Sequence, residues 1–166
     1  MPNWCSITAT ISHNDPAKIA ELVQTFSDGN TFEHFIPLPN NEWDYDFCVD
    51  HWGTKWEIHE PQFTLDGPTM VDVAFATAWA PPVGVFHVMK DQGYTIKADY
   101  WDEGAFFVGI WDDGDDHCFP PEHAPPEMAH LVANFDYPEV EEPTEVEIAV
   151  EATNDDRTVY NDTQTA

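Results

Sequence analysis

Residues 4–12 alternate: Cys5, Ile7, Ala9 and Ile11 fall on one side, with Ser6, Thr8, Thr10 and Ser12 on the other. That period of two predicts a strand with one buried face. The period then lengthens. Asn14 or Asp15 caps a helix with Pro16 in its first turn, Ile19, Leu22, Val23 and Phe26 recur at helical spacing, and Asp28-Gly29-Asn30 stops it. Residues 31–47, with Pro37, Pro39 and many aromatics, predict an ordered loop packed on the domain. Residues 55–63 and 69–78 predict two strands around a turn at Asp66-Gly67-Pro68. Pro81-Pro82 opens a second helix carrying Val85, Phe86, Val88 and Met89, and Gly93 ends it. Residues 94–101 and 105–111 predict a hairpin about Asp102-Glu103-Gly104.

The order β-α-β-β-α-β, with one further strand, predicts an α+β fold of the ferredoxin-like, split βαβ kind: an antiparallel sheet with two helices on one face. Downstream, residues 127–135 predict a short helix with Met128, Leu131, Val132 and Phe135 inward. In residues 145–151, Val146, Ile148 and Val150 share one face and Glu145, Glu147 and Glu151 the other, which predicts an edge strand or a docking segment. The expected organisation is a ferredoxin-like domain over 1–112, an acidic extension over 113–153, and a disordered tail over 154–166.

Charge changes the picture most. The chain has 32 Asp and Glu against 5 Lys and Arg, a formal net charge of −27 over 166 residues. Residues 1–101 hold 14 acids and 4 bases, whereas residues 102–166 hold 18 acids and 1 base. Self-repulsion on this scale opposes compact folding, so the field itself invites a use. Direct binding of nucleic acid through a broad basic patch is excluded, because too few cations exist to neutralise several phosphates. Anionic membranes are disfavoured for the same reason, and no run approaches the roughly 20 apolar residues of a membrane span. Three cysteines make no disulfide framework, which points to a reducing, cytoplasmic setting. The same self-repulsion predicts a monomer.

Three stretches stand out together: Met1-Pro2-Asn3-Trp4-Cys5, Trp52-Gly53-Thr54-Lys55-Trp56 and Thr77-Ala78-Trp79-Ala80-Pro81-Pro82. With Tyr100 and the Glu103-Gly104 turn before Phe107 and Gly109, they resemble the YubB-type ferredoxin-like domain family of phages and conjugative plasmids, which includes the Api-like phage proteins. The resemblance covers roughly residues 1–112. It implies a mobile-element origin and the cytoplasm of a host bacterial cell, and it supplies no reaction. Ala80 stands where the family pattern has Ser, and His51 where it has Asn, so no polar role is carried over to either.

Trp4, Trp52, Lys55, Trp56 and Trp79 read either as core packing or as the wall of a pocket offering one cation. Cys48 and His51, with Cys5 and His59, make only one short-spaced ligand pair where structural zinc takes two, so no metal is expected. Asp112, Asp113, Asp115 and Asp116 do not follow the spacing of a calcium loop. His117, Cys118, His123 and His130 are irregularly spaced. No phosphate loop, nucleophile elbow or His-Glu-x-x-His is present, so neither enzyme activity nor a cofactor is expected.

Carboxylates two residues apart on a strand lie about 6.6 Å apart, close to the phosphate spacing of a nucleic acid. Glu145, Glu147 and Glu151, with Glu139, Glu141, Glu142 and the Asp112–Asp116 cluster, are therefore the expected partner-binding surface. The expected partner is a host nucleic-acid-binding or defence protein with a basic surface, inhibited in the manner of a DNA mimic. Two alternatives stay open: an accessory domain adapted to high salt, and a small-molecule or metal-binding protein using the Trp-rich motif.

Overall fold

A computed structural model describes residues 3–135. Strand β1 (Trp4–Ser12) buries Cys5, Ile7, Ala9 and Ile11, as its alternation requires, and turns the intervening hydroxyl residues the other way. Helix α1 (Pro16–Asp28) starts where Asp15 accepts the Ala17 N–H through its carboxylate and ends where Gly29 adopts a left-handed conformation. Ile19, Leu22 and Phe26 form its buried stripe. The segment expected to be a loop contains two short helices instead, α2 (Thr31–Phe35) and α3 (Tyr45–Phe47). Neither is long enough to show a periodic pattern, and both are held by carboxylates. Asp44 caps α3, and Glu57, distant in sequence, caps α2. A π-helical turn, Cys48–Trp52, follows α3.

Strands β2 (His59–Leu65) and β3 (Met70–Ala78) pair antiparallel, helix α4 (Val83–Asp91) follows, and β4 (Thr95–Asp102) returns beside β1. Beyond β5 (Val108–Asp112) the sheet gains a further strand, β6 (Asp115–Phe119). The result is an α+β architecture: a six-stranded sheet in the order β2-β3-β1-β4-β5-β6, with every neighbouring pair antiparallel. The expected boundary at residue 112 therefore cuts a hairpin, because Asp112 pairs with Asp115 across the turn. The compact unit continues to Phe135.

One core joins the inward residues of β1, β3 and β4 to the stripes of α1 and α4, including Val85, Phe86 and Met89. The opposite side of the sheet is mostly polar. Residues 120–135 cover part of it: short helix α5 (Ala129–Val132) brings Leu131 down with Met128 onto Val108, beside Trp101 and Ile110. His130 fixes this segment through its Nε2, 2.8 Å from the Asp99 carboxylate. No described helix is long and apolar enough to cross a membrane.

Candidate binding surface

The two tryptophan motifs meet because glycine lets backbones touch. Gly53 is left-handed (φ 88°), and a Cβ there would lie 3.1 Å from both the Pro81 carbonyl oxygen and the Val83 nitrogen. A Cβ on Gly84 would lie 1.9 Å from the carbonyl oxygen of His51. The Cys48–Trp52 turn is thus seated against the start of α4 with no side chain between them. Thr54 locks the contact by donating its hydroxyl to the Ala78 carbonyl at 2.8 Å.

Trp52 belongs wholly to this packing. It is buried, stands edge-on to Phe32, and donates its indole N–H to the Ile36 carbonyl at 2.9 Å. It does not join the other motif residues in a pocket. Trp4, Lys55, Trp56 and Trp79 do come together, on the surface. The Lys55 ammonium sits 4.5 Å from the Trp56 ring centre and 4.6 Å from that of Trp79. Trp4 stacks on His59 at 4.3 Å, with Trp56 tilted beside it at 6.2 Å.

Two further aromatics, absent from the motif, extend this end. Trp43 donates its indole N–H to the Lys55 carbonyl at 3.1 Å, and Tyr45 stands edge-on to Trp79 at 6.3 Å. Trp43 is 53% exposed and Trp79 44%. The alternation Glu42-Trp43-Asp44-Tyr45-Asp46 was the available signal for them, since apolar and acidic residues alternate there without burial on either side.

Trp79 is held under strain. Its φ of 74° lies in the left-handed region, which costs a bulky residue about 1–3 kcal/mol. Three hydrogen bonds hold the bend: Trp79 N–H to Asn3 O, Thr77 Oγ1 to Ala80 O, and Thr54 Oγ1 to Ala78 O. The bend turns the indole outward.

The hairpin acids are arranged differently from a free row. Asp112 pairs with Lys97 at 3.3 Å. Lys90 donates to the Asp113 carbonyl, with its ammonium 4.0 Å from the same residue's carboxylate. Asp116 accepts the buried Tyr100 hydroxyl at 2.5 Å. Gly109 makes that last bond possible, because a Cβ there would lie 2.1 Å from the Tyr100 ring. Burial first, and then Asp116, push the Tyr100 phenol far above its ordinary range. Neither Asp115 nor Asp116 makes an ion pair among the described residues. Glu139, Glu141, Glu142, Glu145, Glu147 and Glu151, with the edge strand expected over 145–151 and the tail over 154–166, lie outside the described residues.

The open sheet face forms a shallow trough of about 660 Å³, where Thr8, Thr10 and Gln62 sit among Asp72, Lys97 and Asp99. Thr10 donates to Asp72 at 2.6 Å, so that carboxylate is satisfied within the sheet. Burial pushes the Cys5 and Cys48 thiols upward, away from nucleophilic use, and the Cys118 thiol, on an exposed residue, is raised by partial desolvation and by the Asp116 carboxylate. Among the described residues no group of three or more His, Cys, Asp or Glu is placed to hold a metal ion.

Comparison with protein-family models, curated proteins and solved structures finds no match for this chain.

Proposed function

We propose that this chain is a non-catalytic binding protein of a phage or other mobile element. It captures and inhibits a host protein through that protein's basic nucleic-acid-binding surface, in the manner of a DNA mimic. One observation carries the reading: the described residues contain 22 acids and four lysines, and all four lysines are already engaged. Lys18 pairs with Glu21, Lys90 with Asp113 and Lys97 with Asp112, while Lys55 lies over two indoles. The anionic field is therefore almost unrelieved, and a site built for phosphates meets complementary potential and fast capture. The engaged hairpin carboxylates shift the weight of this reading from one acidic row to the field of the whole body.

The order β2-β3-β1-β4 supports assignment of the core to the ferredoxin-like, split βαβ class, with β5 and β6 added at the β4 edge. It is consistent with the YubB-type resemblance and with a monomer acting in the cytoplasm of a bacterial host. The test is capture from bacterial lysate at about 0.1 M and about 1 M salt, between which screening shortens from about 10 to about 3 Å. Captured proteins should be nucleic-acid binders, released by molar salt and displaced by duplex DNA. Retention of the same partner in molar salt, or indifference to DNA, overturns the reading.

A second reading, adaptation to high salt, is favoured by acids distributed over α1, the loops and the sheet rather than one face. It needs no partner, and it requires loss of cooperative folding at low ionic strength.

A further inference from the structure

We propose that the aromatic end of the molecule is an arginine-docking surface. It takes an arginine-bearing segment of a protein partner, with guanidinium groups stacked on the exposed indoles and paired to the carboxylates around them. The inference rests on the acidic-capture reading and names how the partner is recognised.

Trp43, Tyr45, Trp56 and Trp79 form one continuous exposed group, joined through the backbone and side chain of Lys55. Soluble proteins rarely leave such a group uncovered unless it is an interaction site, and Trp and Tyr are the residues that dominate binding energy there. Charge selects the occupant. Glu42, Asp44 and Asp46 interleave with Trp43 and Tyr45, and exposed Glu60 follows His59. A purely apolar partner would strip water from these carboxylates without supplying a cation, although Asp44 already accepts the Phe47 N–H and Glu60 lies 3.8 Å from His59. A nucleic acid would bring phosphates against them. A guanidinium satisfies both features, because its flat face stacks on aromatic rings while its edge donates to carboxylates.

Lys55 already shows that the Trp56 and Trp79 faces hold a cation. It is the chain's own occupant of that position, and the incoming guanidinium displaces its ammonium into solvent. The strain at Trp79 fits this role, since the bend that costs stability also presents the ring.

The test titrates the full chain calorimetrically with nona-arginine and nona-lysine peptides. Both peptides sense the field, whereas the aromatic surface favours arginine, by about five-fold or more. Trp56→Ala with Trp79→Ala should reduce nona-arginine binding to the nona-lysine level and leave nona-lysine within about two-fold. Trp43→Ala removes an exposed ring without touching the core, and should weaken arginine binding by about two- to three-fold. Lys55→Ala should tighten it. Equal affinity for both peptides, or tryptophan variants of native circular dichroism with unchanged arginine preference, overturns this inference while leaving acidic capture standing. Failure of both peptides to bind overturns acidic capture and this inference together. Binding of a single-stranded thymidylate nonamer that competes with nona-arginine overturns the choice of a protein partner.

Discussion

Replacing Gly84 by alanine sets two effects of opposite sign against each other. Within a helix, alanine is favoured over glycine by about 1 kcal/mol. Against that, the new methyl would lie 1.9 Å from the His51 carbonyl oxygen, 2.8 Å from the carbonyl carbon and 3.1 Å from the Trp52 carbonyl carbon. Ordinary carbon contacts settle near about 3.5–4.0 Å, so the elements must part by about 1 Å or more. The obstacle is backbone, and no rotamer change relieves it. Movement of α4 also withdraws Val85, Phe86 and Met89, which are almost wholly buried on its other side. A gap of about 1 Å forfeits up to about half of the dispersion energy of the affected contacts. Overpacking costs about 1–3 kcal/mol and sometimes more, and the lost contacts add to it, so the clash outweighs propensity. A net destabilisation of about 2 kcal/mol is expected. Equilibrium urea unfolding followed by tryptophan fluorescence reads this as a midpoint lowered by about 1 M, given a slope of about 2 kcal/mol per molar. An unchanged or raised midpoint would refute the backbone-to-backbone seating of the Cys48–Trp52 turn on α4.

Glu57 accepts the N–H groups of Phe32 at 2.7 Å, Glu33 at 2.9 Å and Ile58 at 2.9 Å, so Glu57→Ala leaves three donors unmatched. A loss of about 2–3 kcal/mol is expected by chemical denaturation, and about half of that for Glu57→Gln, whose amide keeps one acceptor oxygen. Burial holds the Glu57 carboxyl above its ordinary value, so its contribution is greatest below the unfolded pKa and is lost as pH rises through the folded one. Stability of the parent chain should therefore fall more steeply than that of Glu57→Gln as pH rises from about 4. Trp79→Gly removes the left-handed strain at the expense of backbone entropy and the Lys55 contact. The melting temperature should hold or rise while arginine-peptide binding falls, and a fall of several degrees would contradict the strain assignment. Tyr94 is raised by burial from 10.0 to about 12, so the folded state should lose stability between those values as pH rises. A tyrosinate absorbance difference between the parent chain and Tyr94→Phe that titrates near pH 10 without unfolding would contradict this.

The elements with one buried face were legible because their spacing repeats. The stripe Ile19, Leu22, Phe26 and the alternation of β1 each follow from a single packing surface. Strand β6 was not legible: Asp115, Asp116, His117 and Cys118 are exposed, so no apolar alternation marks them, and the strand exists through its ladder to β5. Helix α2 escaped because its cap comes from Glu57, about two dozen residues away. The tryptophans were visible as a group, but nothing local separates Trp52 from Trp56. Four residues apart, one drops into the core beside Phe32 and the other stays at the surface. What divides them is the left-handed turn at Gly53, whose necessity comes from Pro81 and Val83 in a different part of the chain.

That division joins the packing and pocket readings of the motif residues instead of choosing between them. Gly53, Thr54 and Gly84 bring two backbones into contact, and Trp52 anchors the joint from below. The same joint fixes the chain direction on both sides, so Lys55 and Trp56 emerge beside Trp79 rather than apart from it. Rigid placement matters for a surface of rings, because stacking on a guanidinium gains little if the rings must first be ordered. The buried half of the motif thus supplies the preorganisation, and the exposed half supplies the contact. On this argument a substitution in the buried half, such as Thr54→Val, should weaken arginine-peptide binding without touching any ring. A Thr54→Ser variant, which keeps the hydroxyl that reaches the Ala78 carbonyl at 2.8 Å, should restore most of it. Equal binding by the Val and Ser variants would separate the joint from the surface and leave the motif as packing alone.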